Sequence, residues 1–232
     1  MEIKIVHLYP DLLNLYGDKG NICSLLKRCE WRGISASVTE ITGNDEINLE
    51  DCDILYLGGG AEHEQEIVLG RLMPLKEKIK EYAENGGTIF ATCGGFGMLG
   101  ELGVLNIRTT KNDERNSGNV VLECNFDGEK VLVSGFENHV YKTDIGDLMP
   151  LGDVLTGFGN NGMGFEGALY KNVVASNLHG PLLPKNPALC DFILKKALVK
   201  KYGEKIDLKP LCDSFENIAS KNIIKSVMGE TK

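Results

Sequence analysis

A cysteine at residue 93 closes the strand-like run TIFATC and is followed at once by two glycines, in ATCGGFGMLG at residues 91–100. A thiol at the end of an apolar strand, turning into a short helix, has the form of a nucleophile elbow. The sharp turn lifts the side chain above the sheet, and bare neighbours let backbone and substrate come close. A helix N-terminus beyond it favours thiolate over thiol. Ala91 stands two residues before the cysteine, so the glycine-flanked form is incomplete, and the pentad alone reads equally well as a buried cysteine at a strand end. Two other strand ends add to it. YLGGGAEHE (56–64) ends an apolar run in Gly58, Gly59 and Gly60, whose amides could meet a developing oxyanion, or could simply make a tight turn. It is no P-loop, because no Gly-Lys-Ser/Thr follows and Glu62, Glu64 and Glu66 repel phosphate. VVASNLHGPLLPKNP (173–187) places His179 just past a strand, where an imidazole can serve as base and acid for a thiol; a lone loop histidine is otherwise only solvated. Together the three point to acyl chemistry on a cysteine.

Those residues need a scaffold that brings strand ends to one edge. Strand patterns fall at residues 3–9, 35–41, 53–58 and 88–93, with helical patterns over about 20–32 and 64–84 between them. Such alternation predicts an α/β fold with a mostly parallel sheet and right-handed crossovers. From about 104 to 178 strands crowd together between turn signals at RNSGN (115–119), FDGEK (126–130), GNNGMG (159–164) and YKN (170–172), predicting added antiparallel strands on that sheet or folded over it. Asn186-Pro187 opens a further helix with Asn186 as its cap. In the tail, Asp213 and Glu216 have capping-box spacing, and Phe215, Ile218 and Ala219 begin an apolar stripe. The expected organisation is a main domain over 1–205 and a helical tail over 206–232 that packs on it or on a partner.

The formal charge of −8 argues against nucleic-acid grooves and anionic membrane surfaces, which need a basic face. Neither a signal-peptide pattern nor a long apolar run appears, so the expected location is cytoplasmic. Seven cysteines (23, 29, 52, 93, 124, 190, 212) show no zinc spacing and read mostly as buried small hydrophobes; no metal site is expected.

In this order, the triple glycine, TCGGFGMLG, SGFENHVYKT (134–143) and NLHGPLLPKNP resemble a class I (triad-type) glutamine amidotransferase domain of the cobyric acid synthase-like branch. The opening HLYPDLLNLYGDKGN (7–21) narrows the resemblance to the GatD family, the glutaminase subunits of lipid II isoglutaminyl synthases. The resemblance implies a flavodoxin-like fold, Cys93 as the nucleophile on glutamine, His179 as its base and acid, and an oxyanion hole at Gly59 and Gly94. It implies Arg115, Asn138 and His139 as glutamine-binding candidates, each of which could otherwise be an ordinary turn residue. Class I members usually carry His-Pro-Glu; here the run is His179-Gly180-Pro181, without an acid two residues on, as in the GatD branch. No cofactor is expected in this chain. The implied partner is MurT, a Mur-ligase-like subunit that would use ATP and magnesium to activate D-glutamate in lipid II. The alternatives are an amidotransferase subunit for another carboxylate such as a corrinoid, a stand-alone cysteine γ-glutamyl hydrolase, or a binding module with an inert cysteine. Asp18 and Lys19 of YGDKGN are left between a partner surface, a channel and a helix cap.

Overall fold

Apolar runs with no polar alternation end up as strands covered on both faces, and this chain has several. In the computed structural model, which describes residues 1–203 and 206–229, Ile54–Leu57 and Thr88–Thr92 are buried along their whole length. They form β3 and β4 of a six-stranded sheet that also holds β1 (Glu2–Leu8), β2 (Ser35–Ile41), β9 (Ala168–Tyr170) and β10 (Val173–Ser176). The order is β2-β1-β3-β4-β10-β9, and every pairing is parallel except that of β9 with β10. Helices α1 (Lys19–Glu30), α2 (Glu62–Leu72), α3 (Lys76–Glu84), α4 (Gly94–Glu101) and α5 (Pro187–Tyr202) connect or follow these strands. The helical pattern over 64–84 is thus two helices, parted by a 3-10 turn at Met73–Leu75 where Pro74 lacks the amide to continue. Two cores result, one on each face of the sheet.

The antiparallel region is its own four-stranded sheet, β6-β5-β7-β8, built from β5 (Arg108–Phe126), β6 (Glu129–Asp144), β7 (Gly152–Thr156) and β8 (Phe165–Glu166). Two of the turn signals are tight hairpins: Asp127-Gly128 joins β5 to β6 with φ of 54° and 92°, and Lys171-Asn172 joins β9 to β10 with φ of 51° at Lys171. RNSGN is not a turn. Residues 116–119 pair with 136–139 inside the long β5–β6 ribbon, and only the register shift between Lys111 and Asn116 interrupts it. Cross-strand pairing overrides the local preference of Asn, Ser and Gly.

Two capping expectations fail for one reason. Asn186 and Asp213 precede helices without capping them through their side chains. Asn186 instead bonds both the amide and the carbonyl of Ser134. Asp213, at the head of α6 (Ser214–Met228), receives the buried Arg28 guanidinium at 2.6 Å, and Asp191 of α5 receives the same group at 2.6 Å. In both cases a partner distant in the chain claims the side chain that would have capped the helix. Through Asp213, and through a Ser220–Ser134 hydroxyl contact, α6 rests on the main body. Its apolar stripe faces outward, with Phe215 83% and Ile218 56% exposed; Ser220 is its buried residue. The expected boundary at 205 falls on residues 204 and 205, outside the described residues, as does the end of the tail from 230. Replacing Arg28 with alanine strands Asp213, while Asp191 keeps Arg32 at 2.6 Å. The replacement is expected to cost about 3–5 kcal/mol and to free the tail, read as a lower unfolding midpoint together with faster proteolysis around residue 213.

Candidate active site

Parallel strands of one sheet end at one edge, where open α/β sheets bind ligands. Here β1, β3, β4 and β10 are neighbours, and the segment after each contributes to one crevice. After β4 comes Cys93, at φ 53° and ψ −124°, a left-handed conformation that L-residues seldom adopt. Its amide donates to Ser176 O of β10 at 2.8 Å, and its carbonyl accepts the Phe96 amide at 3.0 Å. The two following glycines have separate causes. A Cβ on Gly95 would lie 2.3 Å from the Leu57 carbonyl oxygen, and one on Gly94 would meet the Gln65 side chain at 2.3 Å. Close approach of α4 to β3 therefore requires Gly95, and the Gln65 side chain of α2 leaves no room at Gly94.

Burial, with a smaller effect of Asp18, pushes the Cys93 thiol up to about 12 against the lowering effect of the adjacent Gly94 amide. His179 is held beside the sheet edge by antiparallel backbone bonds to Phe136 of β6, 3.0 Å from its own amide and 3.4 Å to its carbonyl. Tyr16, from the segment after β1, lies flat on the imidazole with ring centroids 3.8 Å apart and 13° between planes. Burial, then Lys185 and His139, lower the His179 pKa to about 4, against a smaller raising effect of Glu137. Neither ring nitrogen has a hydrogen-bond partner among the described residues, so stacking and backbone pairing, not an acid, set the ring plane. No hydrogen bond joins the imidazole to the sulfur. Tyr16 is the shared neighbour: it covers His179, and its hydroxyl lies close enough to Cys93 that a thiolate there would raise the Tyr16 pKa. At pH 7 the resting pair is a neutral thiol and a neutral imidazole.

The implied glutamine-binding residues divide. Arg115, in the irregular stretch of β5, donates to Asn138 Oδ1 at 2.8 Å, and Asn138 Nδ2 donates to the Tyr16 hydroxyl at 3.3 Å. These two join the crevice through Tyr16. His139 does not: alternation along β6 turns it away, its Nδ1 pairs with Tyr141 O at 2.9 Å, and its Nε2 stands 3.5 Å from the buried Glu137. Within the triple glycine, Gly59 stands against the nucleophile, for a Cβ there would sit 2.6 Å from Cys93 Cβ and 2.8 Å from its sulfur. Its amide, however, donates to Asp18 Oδ2 at 3.0 Å rather than toward the sulfur. That corrects the expected oxyanion donor. The Gly60 amide meets no acceptor among the described residues, while the Gly60 carbonyl is fixed by Gln65 Nε2 at 2.6 Å. Sequence reasoning missed Tyr16 because its partners His179 and Asn138 lie far off in the chain, with YGDKGN the signal nearby, and missed Gln65, whose bond to the Gly60 carbonyl only the fold of that turn reveals.

Two measurements follow from this geometry. Gly59→Ala drives a methyl into the sulfur and is expected to lower Cys93-dependent turnover at least about 100-fold, comparable to loss of an oxyanion donor, with the unfolding midpoint little changed. Because the resting thiol is neutral, alkylation of Cys93 by iodoacetamide is expected to keep rising about tenfold per pH unit from 7 to 10. A plateau below pH 8 would indicate a resting thiolate–imidazolium pair.

Known proteins agree with this architecture. A family model described as the CobB/CobQ-like glutamine amidotransferase domain matches residues 4–187. Subunit GatD of the glutamine-hydrolyzing lipid II isoglutaminyl synthase of Staphylococcus aureus N315 is 38% identical over 213 residues, 86% of this chain and 86% of the relative. The corresponding subunit of Streptococcus pneumoniae R6 is 37% identical over 237 residues, 96% and 89% of the two chains. A probable cobyric acid synthase of Methanococcus vannielii is 30% identical over 78% of this chain, which spans 39% of that relative. Among solved structures, PurLQS of Thermotoga maritima superposes with a TM-score of 0.59 at 18% identity, over 85% of this chain and 98% of that one. The glutaminase domain of Trypanosoma brucei CTPS, with bound acivicin, gives 0.55 at 10% identity, over 91% and 98%. At such identities the structures share the fold alone. With 184 of its residues under the family model, from 4 to 187, this chain belongs to the CobB/CobQ-like glutamine amidotransferase family.

Proposed function

We propose that this chain is a glutaminase subunit that hydrolyses glutamine on Cys93 and delivers ammonia to a Mur-ligase-like partner of the MurT type, which amidates D-glutamate to D-isoglutamine in lipid II. The observation that carries the first half is the strained Cys93 elbow, with the Gly94 amide adjacent to it and His179 held at the adjoining strand end. The acceptor is supported by the identity to two GatD subunits over most of both chains. No helix among the described residues is long and apolar enough to cross a membrane, which suits the proposed cytoplasmic site of action.

In this reading glutamine enters with Arg115 and Asn138 at the polar end of the crevice. The sulfur bonds to the side-chain amide carbon as its proton passes to His179, and the oxygen gathers negative charge against the Gly94 and Gly60 amides. The C–N bond then breaks, His179 returns the proton to the leaving nitrogen, and ammonia departs from a γ-glutamyl thioester. Water attacks the thioester with His179 again taking a proton, giving glutamate and restoring the thiol. Ammonia set free in neutral water is protonated and loses its lone pair, so transfer to an adjoining site preserves its use. ATP and magnesium belong to that partner site, where the α-carboxylate is activated.

The test uses the full chain, alone and co-purified with the Mur-ligase-like subunit. Cys93→Ala is expected to abolish glutaminase activity and labelling by a reactive glutamine analogue. His179→Ala is expected to lower turnover about 10²–10⁴-fold. Glutamine hydrolysis by the wild-type pair no faster than by its Cys93→Ala form would sink the proposal. Hydrolysis without any lipid II amidation would leave a glutaminase with a different acceptor.

A further inference from the structure

Asp18 of YGDKGN is wholly out of solvent. It stands at the N-cap position of α1, but its side chain caps nothing there. Both oxygens point instead into the reactive corner. Oδ2 accepts the Gly59 amide at 3.0 Å; Oδ1 accepts the hydroxyl of Tyr56 in β3 at 2.7 Å and that of Thr92, the residue before Cys93, at 3.2 Å. Asn21 Nδ2 lies 3.5 Å from the same Oδ1. No cation pairs with this carboxylate among the described residues. Burial raises its pKa, and the Gly59, Tyr56 and Thr92 donors pull the other way. A buried acid without a cation is costly, and here it is held by three donors that an apolar residue would leave unpaired. Full burial takes the Asp18 carboxylate off any partner surface.

The same segment holds the other side of Gly59. Its carbonyl accepts the Leu15 amide at 3.2 Å. Both polar groups of Gly59 are thereby tied to the segment after β1. Since no peptide bond here is cis, the Gly60 amide points opposite to the Gly59 carbonyl, away from that segment. Gly58 packs on the carboxylate itself, with room for no Cβ, which would fall 2.8 Å from Asp18 Oδ2.

We propose that Asp18 is a positioning residue for glutamine hydrolysis, its carboxylate holding the Gly59 peptide so that the Gly60 amide is left free as the oxyanion donor beside Cys93. This rests on the glutaminase reading above. Asp18 touches neither substrate nor sulfur; it acts through Gly59. Without it the Gly59 amide is unpaired, the 58–60 backbone can rotate, and the donor is misaligned while the nucleophile stays in place. The effect belongs to kcat, because the hole is complementary to the transition state rather than to bound glutamine.

The experiment compares wild type, Asp18→Ala, Asp18→Asn and Tyr56→Phe in the full chain co-purified with its Mur-ligase-like subunit. It reads kcat and KM for glutamine, and separately the rate of iodoacetamide alkylation at Cys93, followed by peptide mass. Alkylation needs only the thiolate; hydrolysis also needs the oxyanion donor. Asp18→Ala is expected to lower kcat about 10–100-fold with KM changed less than about threefold, and with alkylation unchanged or faster once the negative charge is gone. Asp18→Asn can turn its amide so that oxygen still meets Gly59 and nitrogen meets the two hydroxyls, so kcat within about threefold of wild type is the expected rescue. Tyr56→Phe leaves the Gly59 bond and should keep kcat. Should Asp18→Ala not fold, Asp18→Ser, too short to reach Gly59, is read in its place. Wild-type kcat in the alanine and serine variants overturns the proposal. So does a parallel loss of hydrolysis and alkylation shared with Tyr56→Phe, which would mark a collapsed site. If wild type itself hydrolyses no glutamine, the glutaminase reading fails first, and the two failures are told apart.

Discussion

The β4–β10 pairing is the constraint on which the site depends. Cys93 adopts a backbone conformation costing an L-residue on the order of 1–3 kcal/mol, and it has to be held there. The parallel register that sets Thr92 opposite Ser176 carries on past the strand ends, so that the Cys93 amide is satisfied by the Ser176 carbonyl. Beyond Ser176, three residues of chain lead to His179. One ladder therefore fixes both the nucleophile and the base. The buried Glu166 secures it from below, accepting the Ser176 hydroxyl and the Asn177 amide at 2.9 and 2.6 Å.

The histidine end has a second anchor. Phe136 pairs with His179 through backbone bonds, and this brings the whole SGFENHV run of β6 over the crevice. From there the antiparallel ribbon reaches α2, where Tyr141 donates to Glu62 at 2.6 Å. The acids that made AEHE hostile to phosphate thus help to dock the ribbon. On the other side, Asn21 of α1 accepts the Leu183 amide at 2.9 Å, and Gly20 leaves room for the Pro181 ring. The added sheet and the first helix both clasp the histidine loop, which carries no acid two residues on.

Much of this was legible in the sequence. Apolar runs ending in glycine or cysteine marked the strand ends, and Cys93 and His179 do lie at one edge of one sheet. What was illegible depends on partners distant in the chain. RNSGN has turn chemistry but meets residues 136–139 and becomes strand. Asp213 has cap spacing but meets Arg28. The amide of Gly59 looked free because nothing local competes for it; Asp18, forty-one residues earlier, does. His139 and Asn138 are neighbours in sequence, yet strand alternation sends them to different surroundings, and no motif carries that information.

The acid-less histidine has an electrostatic consequence. Burial pushes the Cys93 thiol up and the His179 imidazole down, so moving the proton from sulfur to ring is uphill in the resting site. Burial thus disfavours a resting ion pair as the starting point. Carbon–sulfur bond formation and proton transfer have to advance together, so that negative charge appears on the substrate oxygen rather than persisting on sulfur. That places the burden on the amides facing the oxygen. An orienting carboxylate on the imidazole would shift the balance toward a preformed thiolate, whereas this site keeps a quiet thiol until a carbonyl is in place. A glutaminase gains from such restraint, because an idle site wastes no glutamine.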